Sequence, residues 1–218
     1  MHHVFKLSTN ALVCGPSSCG KSWLMASIIA NADSMFEKKT KFFWFYGAYQ
    51  KLFTDLKNKY GDKVEFHEGL PSTDTIEKIA SKTALYHPVL IIDDLFHDCI
   101  NSEVVVNLFT KDAHHRGLSN FILCQNAFTN GKYSRTISLN AKIIIWFNNP
   151  RDQSQIRHLS YQMYPNNPKF LTAAFRDATS SGAHSYLLLD FHQSTPEKLR
   201  VKTKILPTDD VNIVHTPK

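Results

Sequence analysis

The sequence predicts an α/β domain: a three-layer sandwich with a mainly parallel central sheet between helices. Three observations predict it. Apolar, strand-like runs alternate with helix-like segments along the chain. A glycine-bounded stretch, Gly15 to Ser22, stands between the first such strand and the first helix. A later run, Val89-Leu90-Ile91-Ile92, ends in two carboxylates, Asp93 and Asp94.

The elements follow in order. Residues 6–14 read as the first strand and 22–32 as a helix with Leu24, Ile28 and Ile29 on one face. Residues 41–46 are apolar almost throughout and form a second, buried strand, followed by a helix over 49–60. A short strand at 63–67 leads to the turn Gly69-Leu70-Pro71. Ser72, Thr73 and Asp74 can cap a helix over 75–81. Residues 88–93 are the clearest buried strand; a helix covers 102–113, and a strand over 120–125 follows the break at Gly117. The remainder reads as a strand at 141–147, helices at 152–163 and 168–178, a strand at 185–191 and a hairpin partner at 199–206. Residues 1–206 thus make one domain, and 207–218 a flexible tail.

Bulk composition narrows the function classes. With 43% hydrophobic and 20% charged residues the chain resembles an ordinary globular domain, and no apolar run approaches a bilayer span. The first residues, Met1 to Lys6, show no cleavable leader pattern, so an intracellular protein is expected, without a membrane partner. Cys14, Cys19, Cys99 and Cys124 form no C-x-x-C pair, which excludes a zinc-ribbon spacing; Cys14 and Cys124, in apolar runs, read as reduced core residues. His114-His115 alone does not make a metal site, because adjacent side chains rarely converge on one ion. The net charge of +6 favours an anionic partner such as nucleic acid.

Gly15-Pro16-Ser17-Ser18-Cys19-Gly20-Lys21-Ser22 matches G-x-x-x-x-G-K-S/T in full, in the strand–loop–helix context that the motif requires. The glycines permit a loop that wraps phosphate closely. Its amides form an anion nest at the positive end of the next helix. Lys21 reaches the β and γ phosphates, and the Ser22 hydroxyl is placed to ligate magnesium. This predicts a P-loop NTPase that binds ATP with Mg2+. A strand buried on both faces delivers its last residues to the ligand edge of the sheet. Asp93 there would hold magnesium, and Asp94 would orient or deprotonate the attacking water. Gln125, ending the next apolar strand, can sense the γ phosphate.

Further landmarks lie at Leu108-Phe109-Thr110, His114-His115-Arg116, Cys124-Gln125-Asn126, Ser134-Arg135-Thr136-Ile137-Ser138-Leu139-Asn140 and Asn149-Pro150-Arg151-Asp152. In this order, over residues 7–206, the chain resembles the poxvirus-type DNA-packaging ATPases of the FtsK–HerA superfamily. It is especially similar to the versions of Polinton-like elements and adintovirus-like small DNA viruses. The resemblance implies a RecA/FtsK-like fold and a motor that drives double-stranded DNA into a preformed capsid. It also implies a homo-oligomeric ring, viral capsid proteins as partners, and a host nuclear or cytoplasmic assembly site or the virion itself as location. Lys21 and Ser22 then hold nucleotide and magnesium, Asp93 magnesium, Asp94 is the catalytic carboxylate and Gln125 the sensor. Arg135 becomes a trans-acting finger, with Arg116 and Arg151 as competitors. The second acid, often Glu in the superfamily, is here the shorter Asp94, and Lys111 stands where relatives often have arginine.

Two rivals share the scaffold. A small-molecule kinase would need an acceptor pocket and an arginine-rich lid, and no compact lid is visible in the sequence. A guanine switch would carry N-K-x-D, which Asn149-Pro150-Arg151-Asp152 does not supply. Lys38, Lys39 and Lys41, and the alternating Lys198, Arg200, Lys202 and Lys204, are the candidate DNA contacts.

Overall fold

The central strands are apolar on both faces, so they need cover on both sides. In the computed structural model, which describes residues 4–217, they receive it. The leaderless reading of the chain start falls largely on residues 1–3, and the last residue of the tail is 218; both lie outside the described residues. Strands β1 (Asn10–Cys14), β2 (Thr40–Tyr46), β3 (Val64–Glu68), β4 (His87–Asp93), β5 (Ser119–Cys124), β6 (Ile143–Phe147), β7 (Tyr186–Asp190), β8 (Val201–Thr203) and β9 (Ile213–His215) form one sheet. Its order is β3-β2-β4-β5-β1-β6-β7-β8-β9. The strands from β3 to β6 in that order are mutually parallel, and β7, β8 and β9 extend the sheet antiparallel.

The helices are α1 (Lys21–Ala30), α2 (Ala32–Met35), α3 (Lys51–Tyr60), α4 (Thr73–Ala80), α5 (Phe96–Cys99), α6 (Glu103–Asn107), α7 (Ala113–His115), α8 (Ser134–Asn140), α9 (Ser154–Met163) and α10 (Pro168–Ser180). Alternate residues of each strand divide the core into two layers. Ala11, Val13, Ile91 and Phe121 pack with Leu24 and Ile28 of α1 and Phe53 of α3. Leu12, Leu90, Ile92 and Ile122 pack with Ile79 of α4, Ile137 of α8 and Leu171 of α10. Fully burying each such aliphatic side chain contributes about 1.5–3 kcal/mol. The outcome is the expected three-layer α/β sandwich with a mainly parallel sheet.

The topology fixes where chemistry can occur. β5 lies between β1 and β4, so the residue that ends it stands between the loop after β1 and the acids that end β4. All three strands are parallel and therefore open on one edge.

Several boundaries differ from the sequence reading. The first strand is shorter, because Ser8 has a positive φ of 58° and the chain turns before Asn10. The helix expected over 102–113 is interrupted by a π turn at Leu108–Asp112. The cause lies across the core: the buried Asn10 amide donates to the Phe109 carbonyl (2.7 Å) and also accepts from Asn120 (2.8 Å), which drains the helix ladder at that turn. Ser134–Asn140 is a helix that periodicity did not reveal. The flexible-tail expectation for 207–218 is corrected in part: Ile213–His215 pairs antiparallel with β8 as β9, and Asp209 accepts from the Leu206 amide to shape the turn before it. Three strand residues amid polar neighbours satisfy an open sheet edge but carry little hydrophobic pattern.

Candidate functional site

The loop after β1 begins with Gly15, whose amide donates to the Cys124 carbonyl at 3.1 Å. A Cβ on Gly15 would lie 2.6 Å from Cys19 Sγ and 2.7 Å from Phe147 Cβ, so only glycine fits. Gly20 has φ 109° and its Cβ would fall 2.9 Å from His184 Nδ1. Ser18, between them, also takes a positive φ of 62°. Helix α1 starts with no side-chain cap and no acidic residue in its first turn. Its first amides therefore remain for an anion. Lys21 Nζ donates to the carbonyls of Gly15 (2.8 Å) and Pro16 (2.9 Å), which holds the ammonium across the mouth of the loop.

Opposite stands the end of β4. Ser22 Oγ donates to Asp93 Oδ2 at 3.1 Å, and Asp93 is only 5% exposed. Burial pushes the Asp93 carboxyl up from its ordinary value; the Ser22 hydrogen bond and the Lys21 charge oppose that rise. Asp94 turns outward with φ 59° and is exposed. Gly47 after β2 makes this turn possible: its amide donates to the Asp93 carbonyl at 3.1 Å, and a Cβ there would sit 2.7 Å from the Asp94 carbonyl oxygen. A cleft of about 1000 Å³ joins Ser17, Ser18, Gly20, Lys21 and Ser22 to Asp93, Asp94 and Gln125. Its size suits a nucleotide. Among the described residues no group of three or more His, Cys, Asp or Glu side chains could hold a metal unaided. A magnesium ion at Ser22 and Asp93 would need phosphate and water oxygens to complete its shell, the usual mode for this ion. The buried, acid-strained Asp93 fits such a cation.

No protein-family model matches the chain, and no curated protein matches it. Solved structures do. The genome packaging NTPase B204 from Sulfolobus turreted icosahedral virus 2, in complex with ATP-gammaS, superposes with a TM-score of 0.58 at 14% identity, covering 97% of this chain and 98% of that one. Its complex with AMPPCP gives 0.57 at 15% identity over 96% and 97% of the two chains. B204 of Sulfolobus turreted icosahedral virus, described as a DNA-packaging ATPase, gives 0.56 at 11% identity over 97% and 98%. The fold is that of a P-loop NTPase.

Within the P-loop NTPase fold the predicted residues divide into two groups. Lys21, Ser22, Asp93, Asp94 and Gln125 meet in the cleft, while Gly15, Pro16 and Cys19 shape the P-loop behind it. Arg135 does not line the cleft; it is exposed on the first turn of α8 and has no ion pair among the described residues. Arg116 precedes β5, at the sheet edge opposite the P-loop, and is held by Asp112 (2.9 Å) and Glu77 (3.7 Å). Arg151 is exposed in the loop after β6.

The basic stripe expected at 198–204 is largely structural. Arg200 binds Glu197 at 2.7 Å and the carbonyls of Asp190 and His192, and Lys202 lies 3.4 Å from Asp190. Lys41 pairs with Glu65 at 2.5 Å. Lys38, Lys39, Lys198 and Lys204 remain exposed.

Sequence reasoning missed four contributors. Gly47 and His184 are two of them. Gln155 is the third: its Oε1 accepts from the amides of Ala127 (3.1 Å) and Phe128 (3.5 Å), just beyond Gln125. Asp152, held below its ordinary carboxyl value by hydrogen bonds from Ser154 and Gln155, fixes that amide at 2.6 Å. The Asn149–Asp152 motif thus anchors the loop that carries Gln125. The fourth is Trp23, directly after the P-loop serine and 57% exposed in the cleft.

Proposed function

We propose that this chain hydrolyses ATP to drive double-stranded viral DNA into a capsid, as a poxvirus-type packaging ATPase of the FtsK–HerA superfamily. What carries the reading is the meeting of Lys21, Ser22, Asp93, Asp94 and Gln125 at one sheet edge, on the fold shared with B204. Lys21 and the α1 amides bind the β and γ phosphates. Ser22 and Asp93 would hold a magnesium ion, which would supply positive charge to neutralise the phosphates. Asp94, exposed beside the buried Asp93, accepts the proton of the attacking water, and Gln125 aligns that water with the γ phosphate. The partners are duplex DNA, further copies in a ring and capsid proteins, at a nuclear or cytoplasmic assembly site or in the virion. No helix among the described residues is long and apolar enough to cross a membrane.

The deciding experiment is the ATPase rate with and without duplex DNA, across a salt series. Turnover should rise with any duplex sequence, and DNA binding should weaken steeply with salt as phosphate contacts release counterions. A rate indifferent to DNA at low salt would favour a kinase or a switch on the same fold.

The two acids should separate. Asp94→Asn keeps shape without the base: nucleotide still binds, and turnover falls by about 10²–10⁴-fold. Asp93→Asn should instead weaken magnesium-dependent binding. Binding lost alike in both variants, measured by calorimetry with and without Mg2+, would overturn this division of roles.

A further inference from the structure

We infer that Trp23 and His184 form the nucleobase end of the cleft, and that the site takes purine nucleoside triphosphates by stacking, with adenine and guanine accepted alike. The inference rests on the P-loop reading of Gly15 to Ser22. The strand order fixes the direction of the bound chain of phosphates. Asp93, Asp94 and Gln125 end β4 and β5, on one side of β1, and mark the γ-phosphate end. The base must leave on the other side of β1, where β6 and β7 lie.

His184 stands there, two residues ahead of β7, and lines the same cleft. Its Nδ1 lies 3.0 Å from the Cys19 carbonyl, which can only accept, so Nδ1 carries the proton and the ring is fixed against Gly20. Only glycine leaves room for it, since a Cβ at position 20 would meet that ring. Trp23 follows Ser22 on the first turn of α1, beside the amides that would hold the inner phosphates. It is 57% exposed, whereas Trp44 and Trp146 are 0% and 4% exposed. A ring so placed offers an open face to a base. The amide-bearing cleft residues Gln50, Gln125, Asn126 and Asn130 follow β2 and β5, so they stand at the γ-phosphate side. Among the described residues, what lines the base end besides the two rings is Ser17, Ser18 and Gly20 of the P-loop. Stacking on a π-face is tolerant of base identity, and the larger purines gain most from it.

The test uses the full chain with ATP, GTP, CTP and inorganic tripolyphosphate, each with Mg2+. Trp44 and Trp146 are buried, so red-edge tryptophan emission reports Trp23. ATP and GTP should quench it and bind within a few-fold of each other, and CTP, with its smaller ring, should bind more weakly than both, equal CTP affinity overturning the purine preference; tripolyphosphate should compete for the site without quenching. By calorimetry, Trp23→Ala should weaken ATP about tenfold to a hundredfold and leave tripolyphosphate affinity unchanged, while Trp23→Phe keeps most of the ATP affinity. His184→Ala should weaken ATP more than tripolyphosphate. Trp23 lies outside both core clusters, so its truncation should leave the melting temperature unchanged. If tripolyphosphate binds but ATP neither quenches nor loses affinity in Trp23→Ala, the base lies elsewhere and the inference falls. More than tenfold discrimination between ATP and GTP overturns the base tolerance. Failure of tripolyphosphate to bind at all would instead defeat the P-loop reading beneath it.

Discussion

Lys21→Ala is expected to reduce ATP turnover to background, a loss of about 10²–10³-fold or more, typical of removing one transition-state charge donor. The ammonium already sits over the loop, bound to the Gly15 and Pro16 carbonyls at 2.8 and 2.9 Å. Those weak acceptors are the partners that β and γ phosphate oxygens would replace, with a stronger, charge-assisted bond. Negative charge builds at the γ phosphate during hydrolysis, and no other lysine or arginine lines the cleft among the described residues. The variant should fold normally, since Lys21 takes part in neither core cluster. Lys21→Arg should not rescue fully, because the planar fork does not reproduce a compact ammonium. Single-turnover hydrolysis with a melting curve as control checks this; wild-type rates in the alanine variant would overturn the P-loop assignment.

What was legible in the sequence shares one property: its constraints are local. The P-loop is eight consecutive residues, and the conformations it needs are written into Gly15 and Gly20 themselves. β4 is readable because a run of buried aliphatics admits no other placement, and its end carries Asp93 and Asp94 to the same edge. The unreadable parts depend on contacts between distant segments. His184 acts through a carbonyl 165 positions away, so no window around it shows a role. Gln155 supports the Gln125 loop across 28 positions and has the composition of any exposed helix residue. The π turn at Leu108–Asp112 answers to Asn10, on a strand nearly a hundred residues earlier. Gly47 was within reach: a glycine ending an aromatic strand often marks close backbone approach, here to the acid-bearing turn.

Mixing two inactive variants, Lys21→Ala and Arg135→Ala, is expected to restore hydrolysis that neither shows alone. Arg135 is exposed, has no ion pair among the described residues and does not line its own subunit's cleft, which leaves it available to a neighbour's nucleotide. An arginine supplied by a neighbour can stabilise the growing γ-phosphate charge and contributes about 10³–10⁵ in rate. A head-to-tail interface repeats such a pairing around a closed ring. In mixed rings an Arg135→Ala subunit offers an intact Lys21, and a Lys21→Ala neighbour offers an intact Arg135. With random equimolar mixing, about a quarter of head-to-tail interfaces join the two intact halves. If sites fire independently, the mixture should recover about that fraction of the wild-type rate against parents near background; strict coordination around the ring would lower it but not abolish it. The same mixture made with Arg116→Ala should behave differently: Arg116 is tied to Asp112 at 2.9 Å on the far edge of the sheet, so that variant should keep its turnover before any mixing. Subunit exchange is followed by energy transfer between labelled chains. Exchange without recovery would mean that Arg135 is not the finger, and would turn the search to Arg151, exposed on the loop after β6.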